Sequence, residues 1–181
     1  MVAPLVSRGL VCALVTVLAA GPLVSCGPPT RKARVPFTTV PDPLAETGAE
    51  REFEGFTAGP GADLSGLDLA REDFSGLDLS GANFEGTKFA RSWLSRSKFV
   101  GANLSGADAI AVNAYRTDFS DADLTNASFV GANLEEAVFT GAKLDGADFS
   151  FAFLRGAIFD ENATSVAIFS GATMPDGTIG D

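Results

Sequence analysis

One spacing dominates this chain: from Leu64 onward a large apolar side chain returns at every fifth residue. The series runs Leu64, Leu69, Phe74, Leu79, Phe84, Phe89, Leu94, Phe99 and Leu104 and then passes two alanines, Ala109 and Ala114. It resumes with Phe119, Leu124, Phe129, Leu134, Phe139, Leu144, Phe149, Leu154 and Phe159. Thr164 interrupts it once, and Phe169, Met174 and Ile179 close it in the same phase. Of these 24 positions 21 are large and apolar, so the period belongs to the whole stretch from Ala62 to Ile179. A small residue often stands two places before a centre (Ala82, Ala102, Ala122, Ala142) and a glycine two places after it (Gly66, Gly86, Gly106, Gly146). Helices repeat every 3.6 residues and strands every 2.0, so neither template produces this pattern. It is a repeat array, and the array has to be read as a unit.

The segments Gly81-Ala82-Asn83-Phe84, Gly131-Ala132-Asn133-Leu134 and Gly146-Ala147-Asp148-Phe149 resemble the pentapeptide-repeat family, whose pattern is A(D/N)LXX. The resemblance implies an all-β fold, a right-handed quadrilateral β-helix in which each pentad turns the chain through a right angle and four pentads close a coil. Residues twenty apart would then stack at about 4.8 Å, and about six coils would make a rod of roughly 25–30 Å. The four inward columns would begin at Leu64, Leu69, Phe74 and Leu79, the last of them ending at Ile179. Small residues fit before each centre because both side chains enter one narrow lumen. A lumen filled in this way leaves no interior pocket for catalysis.

Composition narrows the chemistry further. The 181-residue chain carries 23 acidic and 13 basic residues, a net charge of −10, which argues against direct nucleic-acid binding. It has no histidine, and therefore no Ser-His-Asp or Cys-His arrangement. Its two cysteines, Cys12 and Cys26, both precede the array, so neither a disulfide framework nor a zinc cluster is expected. No loop of EF-hand type appears among the carboxylates, and no cofactor or metal is expected. Asn103-Leu-Ser105, Asn126-Ala-Ser128 and Asn162-Ala-Thr164 match a glycosylation triplet, as an Asn-rich repeat does by chance.

Residues 1–25 read as an export signal. Arg8 precedes an apolar run from Gly9 to Ala20 that is of signal-peptide length and short for a membrane anchor. Leu23-Val24-Ser25-Cys26 resembles the lipobox of bacterial lipoproteins, which implies lipidation of the Cys26 thiol and cleavage before it. Two or three acyl chains anchor stably where one is marginal. Residues 26–60 then form a Pro-rich tether, with a basic cluster at Arg31, Lys32 and Arg34 and, near its end, Phe53 and Phe56 placed to cap the open end of the array. The repeat domain is assigned to residues 61–181.

The departures from the repeat point to function. At Ala109 and Ala114 the centres shrink while Val112 stands where a small residue belongs, so Val112 and Ile110 are expected to fill the volume, with a bulge or shallow cavity exposing Tyr115 as the alternative. Lys88, Arg91, Arg96 and Lys98 cluster with no acid among them. Stacking at twenty puts Lys88 between Asp68 and Asp108, and Lys98 between Asp78 and Asp118, as expected salt-bridge ladders. It also puts Arg71 over Arg91 and Arg96 over Arg116, like-charge stacks beside Trp93 and Tyr115. Arg91, Trp93, Arg96, Tyr115 and Arg116 are accordingly the expected partner-binding residues. Late in the array Phe151, Phe153 and Ile158, with Val166 and Ile168, fall on outward positions, a surface for a cap or a homodimer.

The leading expectation is a non-catalytic, lipid-anchored scaffold or protein-interaction module on the extracytoplasmic face of a membrane, with an unidentified protein partner. The alternative implied by the family is an acidic DNA mimic that binds DNA gyrase and confers quinolone resistance. The export signal and the arginine stacks count against that alternative.

Overall fold

The computed structural model describes residues 51–53, 56–161 and 163–181. The signal segment, Cys26, the basic cluster and most of the tether lie outside the described residues. The array is the expected right-handed β-helix with four faces. Each face is a ladder of single parallel bridges between residues twenty apart. The first joins Asp63, Asn83, Asn103, Asp123 and Lys143; the second Asp68, Lys88, Asp108, Ser128, Asp148 and Ile168. The third joins Asp73, Trp93, Asn113, Asn133, Phe153 and Thr173; the fourth Asp78, Lys98, Asp118, Val138 and Ile158. Successive coils are sewn by backbone hydrogen bonds, such as Phe84 N to Asn103 O at 2.7 Å and Asn83 N to Ala62 O at 2.8 Å.

Between faces the chain turns. The amide two residues before one centre donates to the carbonyl of the preceding centre, as Thr87 N does to Phe84 O at 3.0 Å. From Gly61 to Gly156 the third residue of each turn adopts φ near +60°, the signature of a type II turn, which explains the glycine there at Gly66 (φ 67°).

The lumen is packed solid. All the Leu, Phe and Ala centres from Leu64 to Leu154 are buried. Phe99, Phe119, Phe139 and Phe159 stack as one column with centroids 5.3, 5.3 and 4.6 Å apart. Phe129, Phe149 and Phe169 form a second column at 5.4 and 5.2 Å. The two meet edge to face, as Phe139 and Phe149 do at 5.5 Å and 80°. Where a hydroxyl replaces alanine before a centre it stays buried and donates to a backbone carbonyl. Thr87 Oγ1 reaches Leu64 O at 2.8 Å, Ser92 Oγ reaches Leu69 O at 2.7 Å, and Thr117 Oγ1 reaches Leu94 O at 2.6 Å.

Both ends are closed, with differences from expectation. Strands β1 (Arg51–Phe53) and β2 (Phe56–Ala58) form an antiparallel hairpin that lies inside the segment assigned to the tether. Phe53 stacks on Phe56 at 4.8 Å and meets Phe74 at 4.9 Å, which covers the first coil as expected. At Thr164 the missing centre is replaced by a helical turn, α1 (Ala163–Val166), and the ladder resumes in register at Asp148 and Ile168. Ile179 does not complete the fourth column. It is 66% exposed because Asp176 accepts from Thr178 N at 2.9 Å and the tail folds back, pairing Ile179 antiparallel with Thr173. At the alanine centres no bulge forms: Asn113 bridges both Trp93 and Asn133, Val112 is buried and fills the volume, and Ile110 instead points outward.

Candidate interaction surface

The outward residue just before each centre is usually Asp or Asn, and its side chain folds over the following corner. Asp78 Oδ1 accepts from Ser80 N at 3.1 Å and from Ser80 Oγ at 2.6 Å, and these bonds hold its carboxyl below the ordinary range. Asp118 Oδ1 accepts from Ser120 N at 2.9 Å and Ser120 Oγ at 2.6 Å, and Asp108 Oδ1 from Ile110 N at 3.2 Å. This local use of carboxylates overturns the expected salt-bridge ladders. The backbones of Lys88 and Lys98 bridge the predicted aspartates, but among the described residues neither ammonium forms an ion pair with them. At Asp78 and Asp118 the Asp-x-Ser spacing carried the signal, and at Asp68 and Asp108 the aspartate alone did, since such side chains bond the backbone two residues on.

The third face differs from the other three. Its ladder carries one carboxylate, Asp73, which Arg51 engages through Nη1 at 3.8 Å while the same nitrogen donates to Asp73 O at 2.6 Å. Below it stand Trp93, then Asn113 and Asn133, whose amides join with Asn133 Nδ2 donating to Asn113 Oδ1 at 3.3 Å. The second ladder holds Asp68, Asp108 and Asp148, and the fourth Asp78 and Asp118. Trp93 is 41% exposed in the middle of the third face, with exposed Arg91 and Arg96 at the corners to either side.

Those corners are strained. Nine non-glycine residues take positive φ, and seven of them lie on the two corners bounding the third face: Arg71, Arg91, Ala111 and Phe151 on one, Arg96, Arg116 and Glu136 on the other. The two elsewhere are Asp121 and Asn126, types that tolerate this conformation. Arg71 (67°), Arg91 (62°), Arg96 (60°) and Arg116 (57°) each replace a glycine that would be relaxed there, at about 1 kcal/mol apiece.

The predicted site residues therefore share one face but divide in role. Arg91, Trp93 and Arg96 are exposed, and the two guanidiniums form no ion pair among the described residues. Arg116 is paired: its Nε donates to Glu136 Oε2 at 2.6 Å, its guanidinium lies 5.0 Å from the Tyr115 ring centroid, and Tyr115 OH donates to Glu136 Oε1 at 3.1 Å. The glutamate one coil on neutralises it, and the Arg116 hydrogen bond lowers the Glu136 carboxyl. Arg71, whose left-handed corner marks it, belongs with Arg91.

Phe151 (66%), Phe153 and Ile158 are exposed as expected, together with Val166 and Ile168. The Phe151 ring lies against the backbone at Gly171, where a Cβ would come within 2.8 Å of it. A shallow cavity of about 180 Å³ opens beside α1, lined by Phe139, Ala142, Leu144, Asp160, Ala163 and Val166. Among the described residues no group of His, Cys, Asp and Glu is placed to hold a metal, and no helix is long and apolar enough to cross a membrane.

The family profile described as pentapeptide repeats matches residues 61–96, 93–126 and 122–160, with 8 copies. A pentapeptide repeat protein from the thylakoid lumen of Arabidopsis thaliana is 30% identical, covering 66% of this chain and 81% of its own, with a TM-score of 0.52. A cyanobacterial pentapeptide repeat protein involved in heterocyst differentiation regulation, from Nostoc sp. strain PCC 7120, is 27% identical, covering 67% and 74%, with a TM-score of 0.41. A plasmid-mediated fluoroquinolone resistance protein is 22% identical, covering 67% and 85%, with a TM-score of 0.36. No curated protein sequence matches the chain.

Proposed function

The chain belongs to the pentapeptide-repeat family, and from that premise we propose that it is a non-catalytic interaction module, held by a lipid at Cys26 on the extracytoplasmic face of a membrane. A fold shared by many proteins does not assign a task, so the reading rests on the surface. The observation that carries it is Trp93, exposed between two arginines that form no ion pair among the described residues, on corners that a glycine would occupy without strain. Exposed Trp and Arg are the residues on which protein interfaces concentrate their binding energy. The filled lumen favours a scaffold over an enzyme, since catalytic carboxylates need a cleft that perturbs them. The exposed collar at Phe151, Phe153 and Ile158 is a second surface, suited to a cap or another copy of the chain.

Two measurements test the reading. Intact mass and fractionation of wild type against Cys26→Ala should show an acyl mass and membrane association that the variant lacks. Replacing Trp93 and Arg96 together should abolish capture of a partner from envelope extracts, and undiminished capture would remove the site. A chain recovered soluble in the cytoplasm and inhibiting gyrase would replace this reading with the DNA-mimic one.

A further inference from the structure

We propose that the third face binds a short acidic protein segment, with Arg91 and Arg96 holding carboxylates on either side of an apolar side chain seated on Trp93. This rests on the interaction-module reading and names the chemistry of its partner. The backbone of the face is already committed, because Trp93 N donates to Glu72 O at 3.0 Å and Phe74 N to Trp93 O at 2.7 Å. No strand can be added to it, so recognition falls to side chains. The side chains on offer are guanidinium forks, which grip carboxylates through paired N–H bonds, flanking an indole that supplies a flat apolar platform.

Charge decides the class of partner. In a chain of net charge −10, Arg71, Arg91 and Arg96 form no ion pair among the described residues, the ladder between them holds no carboxylate below Asp73, and Glu136 on the corner below Arg96 is engaged by Arg116. The adjoining faces carry the Asp68, Asp108 and Asp148 ladder and the Asp78 and Asp118 ladder. A long polyanion or an anionic membrane would lie against those aspartates as well, within the roughly 8 Å over which charges act at physiological salt. A segment with a few carboxylates meets the arginines and ends before it reaches them. The backbone supports the same assignment, because the arginines are kept at φ 62° and 60° where local geometry favours glycine.

Trp93 is the single tryptophan of the chain, so its emission reports the site without a label. The full-length protein is titrated with the peptide Asp-Glu-Phe-Glu-Asp, with its Lys-Lys-Phe-Lys-Lys counterpart, with polyphosphate and with phosphatidylglycerol vesicles. The expected result is saturable quenching or a blue shift with the acidic peptide alone, weakened by added salt. Arg91→Gly with Arg96→Gly should weaken binding by about tenfold or more while leaving the melting temperature unchanged or raised. A lowered melting temperature would assign the arginines a structural role and overturn the proposal. So would undiminished binding by the double variant, or tighter binding of polyphosphate or vesicles. If the acidic peptide fails to bind while the Trp93 and Arg96 double variant still loses its envelope partner, the acidic-segment assignment falls and the module reading stands. If neither effect is seen, both fall.

Discussion

At the scale of single residues, the corners separate what the backbone requires from what the surface carries. Arg91→Gly and Arg96→Gly are each expected to raise unfolding free energy by about 1 kcal/mol, read by urea titration, because left-handed backbone is strained for any residue with a Cβ. Glu72 offers the opposite lesson. It stands at a position given mostly to small inward residues, and burial raises its carboxyl above the ordinary value of 4.5. A raised acid stabilises the fold below its unfolded pKa, and that contribution is lost as pH rises through the folded one. Glu72→Gln should therefore gain stability relative to wild type at neutral pH and show little difference near pH 4. Asp78 behaves in reverse. Its bonds from Ser80 lower its pKa from 3.8, so its contribution is present above that value and fades as pH falls through the folded pKa. Ser80→Ala should shift the acid unfolding midpoint upward. None of these assignments was visible from five-residue spacing, because spacing names which residue faces inward and not which oxygen it meets.

At the scale of the element, a coil is held by its column contacts. Phe129 is fully buried, stacks on Phe149 at 5.4 Å and meets Phe119 edge to face at 5.6 Å, so Phe129→Ala should cost about 3–5 kcal/mol in a chemical denaturation measurement. Thr117→Val keeps the shape but removes the donor to Leu94 O, for a loss of about 1 kcal/mol. The columns, the aromatic cap of Phe53 and Phe56 and the in-register resumption after Thr164 were all legible in the sequence. Their period is set by backbone geometry and by a narrow lumen that in most pentads takes one large and one small side chain. The helical turn at Ala163–Val166 and the returning tail were not, since both occur where the repeat stops constraining the chain. The expected salt-bridge ladders at Lys88 and Lys98 fail for a related reason: stacking sets neighbours, while local donors two residues on take the same carboxylates, Ser80 and Ser120 around Lys98 and the amides of Ala70 and Ile110 around Lys88.

At the scale of the whole molecule, contacts run between nearest coils, as in other repeat proteins, and the ends carry the risk of fraying. Phe53→Ala should expose Phe74 and lower the melting temperature through the first coil. The same architecture turns chain length into angle. Because each ladder joins residues twenty apart, removing residues 121–140 would shorten the solenoid by one coil and leave Phe153 in line with Trp93. Removing only five of those residues would rotate everything downstream by a quarter-turn and move Phe153 to a neighbouring side. Position along this sequence thus works as a dial, with four settings per revolution, and insertions select the bearing at which distant surface groups point.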